Sequence, residues 1–368
     1  MIPVNEPLLN GNEKKYLAEC IDTGWISSEG PFIKKFEEKL AALTHRKYGI
    51  AVCNGTAALE MAVVALGIGK GDEVIMPAFT IISCASAIVR AGAKPVLVDV
   101  DLKTWNMDVA QIEKKINKRT KAIMAVHIYG LPTDMDPILK LAKKYKLKII
   151  EDAAEAHGQT YNGKPCGSFG DVSVFSFYPN KLITTGEGGM VLTDNEKLAE
   201  KLSSLRNLCF VPAKRFVHKE LGWNMRMTNL QAALGLAQLE RWDEHIDRKR
   251  KMGRLYTELL KEVKGIQLPL EKTNYAENIY WVYGIISENK KLTGEKLMKL
   301  LSEKKIGTRP FFYPMHQQPV FKKMGLFKKE KYPNSEKLYK QGLYLPGGLA
   351  LTEEQIREVA ETLKQTLA

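Results

Sequence analysis

Short apolar runs alternate with helical stretches from about residue 48 to residue 210, and this alternation constrains the fold more than any other feature of the chain. Runs such as DEVIMP at 72–77, KPVLVDV at 94–100 and LKIIEDAA at 147–154 are typical of buried strands. The helical stretches are ALEMAVVALGI, IISCASAIVRAG, VAQIEKKI and MDPILKLAKKY. This order predicts a largely parallel sheet with helices on both faces, to which SVFSF and GMVLTD add two strands.

The rest of the chain has a different pattern, which predicts a second and smaller domain. A long helical pattern begins at Thr228 and is expected to link the two domains. The strand-like run IYWVYGII then precedes the helical runs GEKLMKLLSEKK and EEQIREVAETLKQ, a mixture typical of an α+β domain. We therefore expect a large α/β domain over residues 1–240 and a small C-terminal domain over residues 241–368.

Composition is that of an ordinary cytoplasmic globular protein. Hydrophobic residues make up 45% and charged residues 26% of the chain, and neither a membrane span nor a signal-peptide pattern is visible. The five cysteines lack metal-ligand spacing, so we expect reduced thiols and no metal site. Most of the net charge of +13 comes from lysines on helices, which favours solvated surface over steering of a phosphorylated substrate. No nucleic-acid-binding motif accompanies the charge.

Two charged residues follow predicted strands at places where chemistry is expected. Asp152 ends the run KLKIIED, and ligands of open α/β sheets bind at the carboxyl ends of strands. A carboxylate there can hold a pyridine nitrogen protonated. Lys181 lies between an apolar strand and a Gly-rich turn, where partial burial favours a neutral, nucleophilic amine. Ser176, at the end of that strand, is placed to meet a phosphate. Taken singly, Asp152 and Lys181 are more often structural.

The segment CNGTAALEMAVVAL has the strand–turn–helix order of a phosphate site. The amides of Gly55, Thr56 and Ala57 would lie at a helix N-terminus, where anions bind, although Thr56 is equally expected to be only a helix cap. The patterns GxxxxGK[ST] and GxGxxG do not occur, which argues against P-loop and Rossmann dinucleotide sites. Phe79 follows the next strand and is placed either to stack on a flat heterocycle or to join the core.

A phosphate turn, an aromatic residue, a strand-end acid and a turn lysine follow one another in the order of a fold-type I PLP enzyme. Over essentially its whole length the chain resembles the DegT/StrS-type nucleotide-sugar aminotransferases. The matching motifs are TGWISS, NGTAAL, GDEVIMPAFT, EDAAEAHG, the Lys181 segment with GEGGM, and NMRMTNLQAALGLAQL. The resemblance implies pyridoxal 5'-phosphate (PLP) as cofactor, and the fold of that class, with a mostly parallel mixed sheet in the large domain.

The resemblance also implies roles for the residues around PLP. Lys181 would form the Schiff base and move protons, Asp152 would pair with the pyridine nitrogen, and Phe79 would cover the ring. The phosphate would be bound by the turn at residues 55–57 together with Ser176.

Two further roles follow from the same resemblance. Asn224 matches a residue that reaches the phosphate from the neighbouring subunit, which implies a homodimer with shared active sites. Glu155 stands where many relatives carry Gln near the PLP hydroxyl. A carboxylate close to a phenolate would be repelled unless it were protonated or turned away.

The N-terminal segment and the later TRPFFYPMH look most similar to family members that act on GDP-4-keto-6-deoxymannose. Those members form GDP-perosamine with L-glutamate as amine donor, and 2-oxoglutarate leaves. His127 and His157 follow strand segments, and a structural role is favoured for both. Residues expected to contact the nucleotide sugar are Trp25, Ser27, Ser28, Arg226, Arg309, Tyr313 and His316.

Three alternative functions compete with this hypothesis. The nucleotide can be UDP or dTDP instead of GDP. Related sugar dehydratases use pyridoxamine but carry His at the lysine position, and Lys181 argues against that reaction. A non-catalytic regulatory or binding protein of the same fold would be expected to have lost Lys181, Asp152 or the phosphate turn, and all three are present.

Overall fold

The apolar runs form a seven-stranded sheet in the computed structural model, which describes residues 1–211 and 213–367, with the backbone alone at residue 215. A two-stranded hairpin, β6 and β7, lies outside that sheet. In chain order these strands are Tyr48–Val52 (β1), Glu73–Pro77 (β2), Lys94–Val98 (β3), Thr120–Val126 (β4), Lys148–Asp152 (β5), Thr160–Tyr161 (β6), Lys164–Pro165 (β7), Val172–Ser176 (β8) and Gly189–Thr193 (β9).

The large sheet has the order β1-β9-β8-β5-β4-β2-β3 and is mostly parallel, as predicted. Only β9 runs against its two neighbours, β1 and β8. Val126 pairs with Asp152, and Asp152 pairs with Val174, so the carboxyl ends of β4, β5 and β8 lie side by side. The residues that follow these strands therefore meet at one edge of the sheet.

Helices cover both faces of the sheet. Because strand side chains alternate between faces, Ile150 packs in one buried cluster and Ile149 in another. The helices are Glu13–Thr23 (α1), Pro31–Leu43 (α2), Gly55–Ala65 (α3), Ile82–Arg90 (α4), Met135–Tyr145 (α5), Glu196–Arg206 (α6), Asn229–Leu239 (α7), Trp242–Leu260 (α8), Gly294–Glu303 (α9), Pro319–Lys323 (α10), Pro333–Gln341 (α11) and Glu353–Leu367 (α12). Within the described residues, none of them is both long and apolar enough to cross a bilayer.

Two predicted helices differ from the observed ones. The run VAQIEKKI forms two short 3₁₀ turns, Val109–Gln111 and Glu113–Lys115, because a segment this short is marginal as an α-helix. The long helical pattern from Thr228 is divided between α7 and α8 at Arg241, which has non-helical backbone angles. The two helices pack against different partners, α7 against α1 and α2, and α8 against α12.

A second, antiparallel sheet forms the C-terminal part, and among the described residues its order is Ile266–Gln267 (β12), Tyr283–Ser287 (β13), Gly342–Leu345 (β15) and Arg309–Pro310 (β14). Residues at the N-terminus pack here: Ile2 pairs with Ile306, and the Val4 carbonyl accepts from Gly347 N. The division at residue 240 stays a prediction. The remaining strands are Phe210–Val211 (β10) and Lys214–His218 (β11).

Candidate active site

A cavity of about 900 Å³ opens at the carboxyl edge of the large sheet, with its opposite wall formed by the C-terminal part of the chain. Its size is that of a site for a cofactor and a small substrate. Of the predicted residues, the structure brings together Gly55, Thr56, Ala57, Asp152, Glu155, Ser176, Lys181 and Arg309 around this cavity.

Lys181 lies in the loop between β8 and β9, and its side chain is only 11% exposed. Its Nζ lies 3.8 Å from Glu155 Oε1 and 3.8 Å from the centroid of the Trp281 ring. Burial lowers the pKa of the Lys181 amine, while the carboxylates of Glu155 and Asp152 act in the opposite direction. The amine is therefore held where proton loss is easier than at the surface.

Glu155 is buried beside Lys181 and is turned partly toward the backbone. Its Oε2 accepts a hydrogen bond of 2.8 Å from the amide of Tyr129. Burial raises the pKa of Glu155 to about 7, against the opposing effect of Lys181. The carboxyl group can therefore gain or lose a proton near neutral pH.

Asp152 ends β5 and forms part of the cavity wall with 3% of its surface exposed. Its Oδ1 accepts from the amide of Ala154 at 3.1 Å, and its Oδ2 accepts from Cys84 Sγ at 3.2 Å. Burial raises the pKa of Asp152, and these two donors together with the Lys181 charge oppose the rise.

The N-terminus of α3 forms another wall of the cavity. Asn54 is the helix cap, because its Oδ1 accepts from Ala57 N at 2.8 Å. The Ala57 amide is therefore already paired, and the alternative that Thr56 caps this helix is wrong. Thr56 Oγ1 instead lies 2.8 Å from Ser83 Oγ.

Two close backbone approaches form this wall and require glycine. A Cβ on Gly55 would lie 2.7 Å from the Cβ of Ser176, and a Cβ on Gly189 would lie 2.4 Å from the Asn54 carbonyl oxygen. The absence of side chains lets β8, β9 and the start of α3 meet.

Phe79 does not line the cavity, in contrast to its predicted place over a ring. It is fully buried, with Tyr129, Phe311 and Phe312 within 6 Å, centroid to centroid. Ile81, two residues later, lines the cavity and is 42% exposed. The core alternative for Phe79 is thus the one that its packing supports.

Asn224 and Arg226 lie outside the cavity formed by their own chain. Asn224 is exposed and accepts from Arg226 Nε at 2.9 Å, and Arg226 lines a separate small pocket near Ser28. Trp25 and Ser27 bind Asn229 through their backbone carbonyls, also away from the cavity.

The segment TRPFFYPMH brings only part of its predicted residues to the cavity. Arg309 lines the cavity with an exposed side chain. Tyr313 packs against Tyr339, and His316 is buried with its Nε2 2.9 Å from Glu336 Oε1. Neither Tyr313 nor His316 lines the cavity. Besides Arg309, the residue of this segment that lines it is Phe312.

The two histidines near the strand ends are buried in the fold. Thr133 N donates to His127 Nδ1, which leaves the proton on Nε2 to be donated to Glu151 at 2.9 Å. Glu151 and Cys166 are close enough to His127 to resemble a metal trio, but Glu151 also accepts from two backbone amides. Burial lowers the pKa of His157 to about 3, so it is neutral among aromatic rings.

Several cavity residues were missed from the sequence, among them Trp281, Asn180 and Asn5. Trp281 donates from its indole nitrogen to the carbonyl of Asn180 at 2.7 Å, and Asn180 Oδ1 is buried without a protein partner. Asn5 donates to the carbonyl of Pro179 at 3.0 Å. Trp281 lies in the run IYWVYGII, which was interpreted as a strand, and Asn5 carries no motif, so no pattern pointed to either.

These residues fit PLP by the chemistry of their groups. A primary amine, a buried carboxylate and a helix N-terminus beside a serine hydroxyl surround one cavity, and they complement an aldehyde, a ring nitrogen and a phosphate respectively. Gly55 and Ser176 lie so close together that no side chain fits at position 55, and the backbone at the start of α3 stays uncovered.

Known proteins of similar sequence include two GDP-perosamine synthases. The chain is 43% identical over 364 residues to the GDP-perosamine synthase of Escherichia coli O157:H7, covering 99% of this chain and 98% of that protein. It is 44% identical over 367 residues to the GDP-perosamine synthase of Caulobacter vibrioides, covering 100% and 98% of the two chains.

A solved structure extends the likeness to the cofactor. The PLP form of the Streptococcus pneumoniae protein Spr1654 superimposes with a TM-score of 0.92 at 26% identity, over 99% of this chain and 98% of that chain. The predicted fold and the predicted PLP cofactor are both confirmed. Because the pattern of the DegT/DnrJ/EryC1/StrS aminotransferases matches residues 7–364, the chain belongs to that family.

Proposed function

We propose that this aminotransferase moves the amino group of L-glutamate to C4 of GDP-4-keto-6-deoxymannose and so forms GDP-perosamine. One observation carries the choice of substrate: relatives named GDP-perosamine synthase match the chain end to end at 43% and 44% identity. The cavity supports the proposal with an amine and a carboxylate, the groups that a transamination requires, beside a helix N-terminus that is able to bind a phosphate.

Lys181 has the central role in this proposal. When bound, PLP withdraws electrons from the carbon that exchanges the amino group. The Lys181 amine would hold the cofactor covalently between turnovers, take the proton from Cα of glutamate, and deliver a proton to C4 of the sugar. Its burial supports this role, because a lowered pKa keeps more of the amine neutral.

The other cavity residues bind and orient. Asp152 would accept a hydrogen bond from the protonated ring nitrogen. The free amides of Gly55 and Thr56 and the hydroxyl of Ser176 would hold the phosphate. Arg309, exposed at the cavity, would meet the pyrophosphate of the nucleotide sugar, for which a guanidinium is well suited.

We further propose that the active unit is a homodimer in which Asn224 completes the phosphate site of the partner. Asn224 is exposed and does not reach the cavity of its own chain. The chain also exposes large apolar side chains that a second copy can cover, with Trp25 and Ile26 each 49% exposed.

The experiment for the substrate compares GDP-, UDP- and dTDP-linked 4-keto-6-deoxysugars with L-glutamate as donor. A pocket that hydrogen-bonds the polar edge of guanine rejects other bases strongly, so kcat/KM should favour the GDP sugar by about a hundredfold or more. Equal kcat/KM for GDP and UDP sugars would overturn the GDP assignment and leave the transamination intact.

A second measurement tests the site. Borohydride reduction of the PLP-loaded protein and peptide mapping should place the cofactor label on Lys181. Lys181→Ala should bind PLP without a covalent bond and lose turnover by orders of magnitude. A label on another lysine would contradict the assignment of Lys181.

A further inference from the structure

Cys84 makes a buried contact that the proposed chemistry has not used. It lies in α4, is fully buried, and its Sγ is 3.2 Å from Asp152 Oδ2. On its other side, Thr80 Oγ1 lies 3.5 Å from the same sulfur. A chain of three side chains therefore ends at the carboxylate in the cavity wall.

The direction of these hydrogen bonds follows from the protons available. Burial and the nearby Asp152 carboxylate raise the pKa of Cys84 well above its ordinary value, so the sulfur keeps its proton. A carboxylate can only accept, so the S–H donates to Asp152 Oδ2. The single thiol proton is thereby used, and the Thr80 hydroxyl must donate to the sulfur.

This contact fixes the plane of the Asp152 carboxylate. Oδ1 is held by the amide of Ala154 and Oδ2 by Cys84, so both oxygens have a donor on the protein side. Rotation of the carboxylate would break one of two buried hydrogen bonds, which is costly.

We propose that Cys84 is a positioning residue, which holds the Asp152 carboxylate ionised and in one orientation toward the cofactor ring. The proposal rests on the proposed function, because it gives Asp152 the ring nitrogen as its partner. Cys84 itself does not reach the cavity, and it acts only through Asp152.

The charges around Asp152 give the sign of the pH effect. Burial raises the pKa of Asp152, while the Ala154 amide, the Cys84 thiol and the Lys181 charge lower it. His127 adds to the lowering only when it is protonated. Glu155 is the other acid close to this group of residues. Loss of the S–H donor should raise the Asp152 pKa further, so that the carboxylate gains its proton at a higher pH as acid is added.

The test uses PLP-loaded Cys84→Ala and Cys84→Val, which lack a donor, and Cys84→Ser, which keeps one. Cys84→Val leaves no cavity at the site and therefore serves in case the alanine variant is unstable. Cys166→Ala, another buried cysteine outside the cavity, is the control for loss of a core thiol, and Asp152→Asn is the reference for loss of the carboxylate. The measurements are kcat against pH, the Kd of PLP, and the visible absorption of bound PLP against pH.

We expect Cys84→Ala and Cys84→Val to lower kcat about tenfold, to weaken PLP binding severalfold, and to move the acid limb of kcat and of the absorption titration to higher pH. Cys84→Ser should restore all three. Wild-type values in both donor-free variants, or a serine variant as impaired as they are, would overturn the role of Cys84. An Asp152→Asn variant as active as wild type would instead overturn the proposed function.

Discussion

Glu155 and Lys181 are two buried ionisable groups with 3.8 Å between Oε1 and Nζ. Burial acts on them in opposite senses, raising the pKa of the acid to about 7 and lowering that of the amine. Burial therefore favours the uncharged form of each group. A protonated Glu155 also meets the condition under which a carboxyl group is tolerated beside a phenolate.

Glu155→Gln should change how stability depends on pH in the PLP-free protein. The folded chain keeps the Glu155 proton up to about pH 7, whereas the unfolded chain loses it near its ordinary value of 4.5. Raising the pH through this window therefore lowers the stability of the wild-type protein. The Tm of Glu155→Gln minus that of wild type should rise by a few degrees over the same window. Thermal unfolding at several pH values measures this, with exposed Glu258→Gln as the control. A Tm difference independent of pH would contradict it.

Lys249 is a buried lysine that has no carboxylate partner among the described residues. Its Nζ donates to the carbonyl of Trp281 at 2.8 Å and to that of Gly347, both in the cavity wall. Its Nζ also lies 4.0 Å from Met252 Sδ. Burial lowers the pKa of Lys249 to about 7.

Lys249→Met should alter stability in the opposite pH direction to Glu155→Gln. Between about pH 7 and 10.5 the unfolded chain binds the Lys249 proton and the folded chain does not, so the wild type becomes relatively more stable as the pH rises. The Tm of wild type minus that of the variant should increase by about 5 °C across this window. Exposed Lys251→Met on the same helix should show no such trend. A flat or falling difference would refute the charge-burial explanation.

At the scale of elements, the start of α3 depends on its contact with the end of β8. Gly55→Ala would place a methyl group 2.7 Å from the Cβ of Ser176 and push these elements apart. Such crowding costs about 1–3 kcal/mol, and it should weaken PLP binding about tenfold or more. Gly69→Ala is the matched control, because its methyl group would meet only a carbonyl at 3.5 Å. Equal PLP affinity in both variants would show that the α3–β8 contact does not shape the phosphate site.

The sequence predicts those site residues whose positions follow from the order of the parallel strands. Asp152 and Ser176 end buried strands, and parallel strands bring such ends together whatever their loops do. The sequence does not show whether Phe79 or Ile81 lines the cavity, because this depends on the path of the chain after β2. There the Ala78 amide still pairs with Val98 before the chain turns. The sequence does not identify Trp281 as a cavity residue, because its run starts irregularly, with Tyr280 in the left-handed region at φ 53°.

At the scale of the whole molecule, the proposed dimer predicts complementation between inactive variants. A mixture of Lys181→Ala and Asn224→Ala contains hybrid dimers with one intact site, so random exchange should restore about a quarter of wild-type activity. Lys181→Ala mixed with Asp152→Asn is the matched control, because both residues line the cavity of one chain and no hybrid site is intact. No recovery in the first mixture, with subunit exchange verified by native mass spectrometry, would contradict a shared phosphate site.

The parallel bridge between Ile2 and Ile306 has a consequence for the order in which the protein is made. Val4 and Asn5 belong to the cavity wall, yet Ile306, the bridge partner of the neighbouring Ile2, leaves the ribosome some 300 residues later. At about 5–20 residues per second, the first segment waits for roughly 15–60 seconds of translation without its partner. This part of the wall therefore cannot be closed before the segment around Ile306 has been made.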